Sequence, residues 1–320
     1  MNKTVNSEST SALPAEVLRL SVFADGPGGG NPAGVVLAAT SLTEAQMQGI
    51  AAGVGYAETA FVVDPAVDGD ARHVRLRYFS PGAEVPFCGH ATIATAVALA
   101  ERRGVGAFTV DTPAGRNVID TLHGSGAGGG AGAVGEGGQG FVLASFTSVE
   151  PEVRELDPTV ASHLLQLLGL EVADLEGRWP LREAFAGNWH PVVALRSQEV
   201  FDAFTFAPAK VRALMDQQGW SGTVTVVCRQ ENDASGHLVV EARNLFPVGA
   251  ITEDPATGSA AAALGAHLRD LGVVAPPARI LVRQGRHIGR PSLLTVDVPV
   301  SGGITVTGTA EAISPSPGRA

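Results

Sequence analysis

Residues 77–99, RYFSPGAEVPFCGHATIATAVAL, put a strand, a tight turn and an apolar helix in succession, and no other stretch constrains the fold as strongly. Residues 73–79 (HVRLRYF) alternate as a strand does, Pro81 and Gly82 break the pattern, and residues 91–100 are small or aliphatic without a charge. A helix that apolar on every side belongs inside a fold. Its first turn then leaves backbone N–H groups unpaired beside Cys88, Gly89 and His90. Buried N–H groups at the positive end of a helix make an anion site.

The same device recurs in residues 243–264, RNLFPVGAITEDPATGSAAAAL. An offset of 166 lays Arg243 on Arg77, Pro247 on Pro81, Ile251 on Val85 and Asp254 on Cys88, and a one-residue slip brings Leu264 onto Leu99. Both copies run from a strand through a Pro turn and a polar knot into an Ala-rich helix, the pattern of a duplicated domain. Two such halves packed about a pseudo-twofold axis bring the polar helix tips to face each other across a shared cleft.

With 320 residues the chain is long enough for two domains, and 45% hydrophobic with 17% charged residues is ordinary globular material. The balance of 22 basic against 32 acidic residues gives a net charge of -10 with no Lys/Arg run, which argues against nucleic acid and anionic membrane as partners. Cys88 and Cys228 are too few for a disulfide framework, and neither sits in a metal-type Cys/His cluster by spacing. Cys228 ends TVTVVC and reads as a buried strand residue. The polar start MNKTVNSESTSALP lacks the apolar core of a signal peptide, and no window of about 18 uninterrupted apolar residues follows. A cytoplasmic, soluble protein is expected.

In chain order, residues 1–15 read as a disordered tail and EVLRLSVFAD as a first strand. GPGGGNPAGVVLA follows, but GxGxxG is out of register and no GxxxxGK[ST] exists, so phosphate binding is not indicated. Residues 41–52 read as a surface helix with a capping box of Ser41 and Glu44. Residues 123–140, more than half glycine, read as a flexible loop or interdomain linker. The second half is expected to open with the strand GFVLASF, followed by a helix started by Asp157 and Pro158. Strands and helices do not alternate regularly enough for a doubly wound sheet. The fold class expected is α+β, with two β-barrel-like domains each wrapped round a central hydrophobic helix.

Candidate chemistry rests on Glu58, Cys88, His90, Asp254 and Ser259. Each has a bland reading alone: Glu58 at the solvent edge of a sheet ahead of AFVV, Asp254 as a helix cap before Pro255, His90 as a turn histidine, Ser259 as a small helix residue. Their symmetric placement favours function. A cleft between two helix starts suits proton abstraction beside a carboxylate, with amides stabilising the developing charge. No Schiff-base lysine, nucleotide loop or metal cluster points to a cofactor.

GNPAGVV (residues 30–36), YAETAFV (56–62), EVPFCGHATIATA (84–96), ITEDPATGSAAAAL (251–264) and QGRHIGRPSLL (284–294) together resemble the PhzF family of phenazine-biosynthesis isomerases and their relatives. The motifs follow the family's order along nearly all the chain after residue 16. The resemblance implies the diaminopimelate-epimerase-like fold, with a first barrel of residues 16–122 plus about 303–315 and a second of 141–302. It also implies a homodimer. It implies that Glu58 is the acid/base that moves a proton on a small carboxylated substrate such as 2,3-dihydro-3-hydroxyanthranilate, against the sheet-edge reading. His90 and Asp254 would bind and polarise the substrate. Ser259, with the amides near Gly258, would hold its carboxylate, and Gly89, Thr257 and Asn31 would line the site.

Related racemases use two thiols, one at the start of each central helix. Cys88 stands at the first place, whereas the second, expected within residues 254–256, offers none. Ala57 and Phe87 depart from the family's usual Ser and Leu beside catalytic positions. An amino-acid racemase or epimerase, and a non-catalytic small-molecule-binding protein on the same fold, remain the competing readings.

Overall fold

A computed structural model of the chain describes residues 15–124, 140–248 and 251–313. The N-terminal tail and most of the glycine-rich linker expected from the sequence lie outside the described residues.

The first half runs β1 (Leu18–Val22), β2 (Asn31–Val36), α1 (Glu44–Val54), β3 (Glu58–Asp64), β4 (His73–Phe79), β5 (Glu84–Val85), α2 (Gly89–Arg103), β6 (Gly106–Thr112), β7 (Gly115–His123) and β8 (Val142–Thr147). The second half begins β9 (Glu152–Glu155), α3 (Pro158–Leu167), β10 (Arg182–Phe185), β11 (Trp189–Leu195), α4 (Gln198–Ala203) and α5 (Pro208–Gln218). It continues β12 (Val224–Arg229), β13 (Leu238–Val248), β14 (Ile251–Asp254), α6 (Gly258–Asp270), β15 (Ala278–Gln284), β16 (Ser292–Val298) and β17 (Thr305–Ala312).

The pairings β1–β2–β3–β4–β6–β7–β8–β17–β1 close an eight-stranded barrel. Its core is α2, buried from His90 to Ala100, as the absence of charge there requires. Alanine and threonine let the helix lie close to strands on all sides, while Ile93, Val97 and Leu99 fill the remaining volume. The second half repeats the order: β10–β11 antiparallel, β11–β12 parallel, β12–β13 antiparallel and β13–β15 parallel match β1–β2, β2–β3, β3–β4 and β4–β6. Its core is α6, buried from Ala260 to Leu268. Among the described residues nothing pairs β17 with β9, so this second ring stays open. The α+β class with two barrel-like halves, each around a hydrophobic helix, is therefore observed.

Three local expectations need correction. Residues 142–147, read as the opening strand of the second half, pair instead with β7 and β17 and lie against α2. Alternation shows that a strand exists; it does not show which neighbour supplies the hydrogen bonds. The cap of α1 is Thr43, whose side chain accepts from the Gln46 amide while Gln46 reaches back to the Thr43 amide; Ser41 and Glu44 do not form the box. Finally, the two helices start at Gly89 and Gly258, an offset of 169, so Cys88 corresponds to Thr257 and His90 to Ser259. Arg77 and Arg243 keep the offset of 166 on β4 and β13, and the connection to the second helix is three residues longer.

Strand β17 joins the halves, pairing with β16 through residues 305–307 and with β1 through residues 310–312. The segment after β15 makes a second link. Arg290 donates from Nε to the Gly30 carbonyl (2.7 Å) and from Nη2 to that of Gly29 (3.3 Å), while Asp25 and Gly30 amides bond the Pro291 carbonyl. This clamp fixes the glycine turn immediately ahead of Asn31. No helix of the described residues is long and apolar enough to cross a membrane.

Candidate active site

The start of β3, the start of α2 and the β14–α6 connection converge where the two barrels meet. A Cβ built on Gly89 would lie 3.8 Å from the Phe146 ring, and one on Gly258 only 2.9 Å from it, so the two helix tips flank one aromatic side chain. A side chain at position 258 would force the Phe146 ring to shift.

Glu58 is the first residue of β3 and its side chain is 21% exposed, open enough for a ligand to reach yet largely out of water. Its Oε2 lies 3.5 Å from His90 Nε2 and accepts from Cys88 Sγ at 3.6 Å. Burial, reinforced by the nearby Asp254 charge and opposed by the Cys88 thiol, pushes the Glu58 carboxyl up to about 7. The bland reading of Glu58 at a solvated sheet edge is thus overturned: the strand starts inside the protein.

Asp254 ends β14 and is no helix cap; the residue before α6 is Thr257. Its Oδ1 accepts from Asn31 Nδ2 at 2.8 Å and its Oδ2 from Thr257 Oγ1 at 2.5 Å. Burial raises Asp254 to about 6 against these two donors. The second hydrogen of the Asn31 amide goes to the Ala256 carbonyl at 3.0 Å, and His90 Nδ1 stands 3.4 Å from the same nitrogen. Gln284 braces the turn from behind, donating to the Asp254 carbonyl (2.6 Å) and accepting from the Thr257 amide (3.2 Å).

His90 is buried and held near 4, burial outweighing the opposing Pro32 carbonyl, so it is neutral at physiological pH. Cys88, also buried, is raised well above the usual thiol range, first by burial and then by Glu58; it is a thiol and no ready nucleophile. Ligating atoms of Glu58, Cys88 and His90 all lie within 4.8 Å of one another, a three-donor group that sequence spacing does not reveal.

Asn31, Glu58, His90, Asp254 and Thr257 thus form one connected cluster, joined by Cys88. Ser259 lies at the tip of α6 and its Oγ contacts His190 Nε2 at 3.1 Å. His190 was not anticipated from the sequence. A signal is there: Asn31-Pro32 opens β2 and His190-Pro191 follows Trp189 at the start of β11, and the registers Ala33↔Glu58 and Val192↔Thr225 make the two positions equivalent. The same registers set Thr225 opposite Glu58 in the repeat, so one barrel alone supplies an acid at that place. The second thiol position falls on Thr257, outside the expected 254–256, and is also without sulfur.

A surface depression of about 760 Å³, lined by His237, Arg279 and Asp297 among others, lies on the second half and includes none of these residues.

With this geometry in hand, similarity to known proteins is specific. The sequence model described as "Phenazine biosynthesis-like protein" (PhzC-PhzF) matches residues 20–314. The chain is 31% identical over 310 residues to "Uncharacterized isomerase YddE" of Escherichia coli O157:H7, covering 93% of this chain and 96% of that protein. It is 29% identical over 275 residues to trans-2,3-dihydro-3-hydroxyanthranilate isomerase of Pseudomonas chlororaphis, covering 86% and 87%. The crystal structure of the Bacillus anthracis phenazine biosynthesis protein of the PhzF family superposes with a TM-score of 0.75 at 27% identity, covering 93% of this chain and 96% of that one. The chain belongs to the PhzC/PhzF phenazine biosynthesis-like family, as one of its isomerases.

Proposed function

We propose that the protein moves a proton within a small carboxylated substrate of the cyclic amino-acid class, as the name of the Pseudomonas chlororaphis relative suggests, with Glu58 as the shuttle and no cofactor. Ionised Glu58 takes a proton from a substrate carbon, and the C–H electron pair passes into the adjoining conjugated system. The Glu58 carboxylic acid then delivers that proton to another carbon of the system, so the reaction is balanced without oxidant or reductant. Neutral His90 and Asp254 hold the polar groups next to the reacting carbon. Amides at the start of α6 and the Ser259 hydroxyl hold the carboxylate. A homodimer is part of this reading, and light scattering tests it.

One observation carries the proposal: the Glu58 carboxylate is largely out of water, 3.5 Å from His90 Nε2 and 3.6 Å from the Cys88 thiol, and burial there pushes it up to about 7, within reach of both taking and giving a proton near neutral pH. The test is to incubate the protein in deuterated water with trans-2,3-dihydro-3-hydroxyanthranilate and a panel of carboxylated dienes and amino acids, reading label position by NMR. Wild type should convert one of them and Glu58→Gln should not. Turnover retained by Glu58→Gln rejects the shuttle, and tight binding without any exchange or conversion favours a binding protein.

A further inference from the structure

His190, the second residue of β11, is fully buried and is the single hydrogen-bond partner of Ser259 Oγ among the described residues. Its tautomer follows from its surroundings. The Thr223 amide donates to Nδ1 at 3.0 Å, and the backbone fixes where that hydrogen points. Thr223 Oγ1, 3.0 Å from the same ring nitrogen, gives its one proton to Asn244 Oδ1 at 2.7 Å. The Thr223 carbonyl at 3.1 Å from Nδ1 would suit the other tautomer, but that form sets two N–H groups against each other and the amide cannot rotate away. Nδ1 is therefore the acceptor, and the ring hydrogen of neutral His190 sits on Nε2, aimed at Ser259.

This direction decides what Ser259 can do. A histidine that activates a serine nucleophile must accept the hydroxyl proton. His190 instead donates to Oγ, so the Ser259 proton has to find an acceptor elsewhere. Ser259 is partly exposed at the tip of α6, where the free amides of the first turn favour an anion.

We propose that His190 is a positioning residue that fixes Ser259 as a hydrogen-bond donor to the substrate carboxylate and bars it from acting as a nucleophile. The inference deepens the isomerase reading above and rests on its assignment of a carboxylated substrate. The pseudosymmetry supports a dedicated role. The strand-helix pair Asn31–His90 of the first barrel has become His190–Ser259 in the second, so each half carries one histidine at this junction, on opposite partners.

The test combines imidazole nitrogen NMR with calorimetric binding of anthranilate, a stable aromatic amino-carboxylate, using aniline as the probe without a carboxylate. His190 should show an unprotonated Nδ1 and a protonated Nε2 at neutral pH. His190→Leu should weaken anthranilate binding about tenfold, the worth of a hydrogen bond to a charged group. His190→Gln, whose side-chain N–H can still reach Ser259, should stay within about threefold of wild type. In a Ser259→Ala background His190→Leu should add no further loss. An Nδ1-protonated ring, undiminished affinity in His190→Leu, or wild type binding anthranilate no better than aniline overturns the proposal. Label transfer plays no part in these readouts, so the role of Glu58 and the role of His190 can fail separately.

Discussion

Asn31 Nδ2 lies 2.8 Å from Asp254 Oδ1, so a residue from the second strand of the first barrel binds a carboxylate carried by the second. Both hydrogens of that amide point across the junction, the other to the Ala256 carbonyl. The donor stabilises ionised Asp254 against the burial that raises it to about 6. Asn31→Ala should therefore raise the Asp254 pKa further and loosen the turn that leads into α6. We expect turnover to fall roughly tenfold to a hundredfold, with the acid limb of the pH–rate profile displaced upward. A profile superimposable on wild type would separate Asn31 from the titrating cluster.

Glu58 links activity and stability to pH with opposite signs. As a base it must be ionised, so kcat/KM should rise with pH through the range from about 6 to about 7 in which the Glu58–Asp254 pair titrates. For folding, a carboxyl raised from 4.5 to about 7 binds its proton more tightly in the folded state. Its stabilising contribution is complete below about pH 4.5 and disappears as pH rises through about 7. Denaturant titrations at pH 4.5 and pH 8 should show Glu58→Gln gaining on wild type by up to roughly 3 kcal/mol between the two. Equal pH dependence in both proteins would mean that Glu58 is better solvated than its surroundings indicate.

The duplicated arginines give a matched comparison. Arg77 bonds Glu84 and Glu44 on the surface, while Arg243 is buried with Glu253, bonds the Phe201 and Phe204 carbonyls, and stacks on the Phe204 ring at 3.9 Å. Arg77→Ala should cost less than about 1 kcal/mol, as exposed pairs do. Arg243→Ala leaves Glu253 buried without its partner, one residue before Asp254, and should cost about 3 kcal/mol or more. Urea unfolding of the two variants measures the difference.

The architecture was legible because charge-free helices must be enclosed and two of them share a polar N-terminal knot. That inference needed only the contents of residues 89–100 and 258–268. Pairing partners were less legible. Strand β8 looks the same in sequence whether it opens the second ring or completes the first, since alternation fixes faces and not neighbours. Spacing alone does not single out Glu58, because a carboxylate before AFVV is ordinary at a sheet edge; the motif YAETAFV singles it out, and the closure of β3 against β2 and β4 takes it out of water. His190 is not legible in the sequence because WHPVVAL reads as a buried strand, and its contacts with Thr223 and Ser259 lie 33 and 69 positions away.

Cys88 separates the isomerase from a two-thiol racemase. Its sulfur lies 3.6 Å from Glu58 Oε2 and 3.4 Å from His90 Nδ1, inside the cluster, yet burial and the Glu58 charge keep it protonated. The corresponding position at the start of α6 is Thr257, whose hydroxyl donates to Asp254 and cannot serve as a matching thiolate. The thiol thus acts as a weak donor that lowers the Glu58 pKa slightly. Cys88→Ala should keep turnover within about tenfold of wild type and shift the Glu58 titration upward, because one stabilising contact with the carboxylate is gone. Cys88→Ser supplies a hydroxyl donor in its place and should leave the titration closer to wild type. Loss of all turnover in both variants, with the fold intact by circular dichroism, would make the sulfur itself the acid or base and favour racemase-type chemistry.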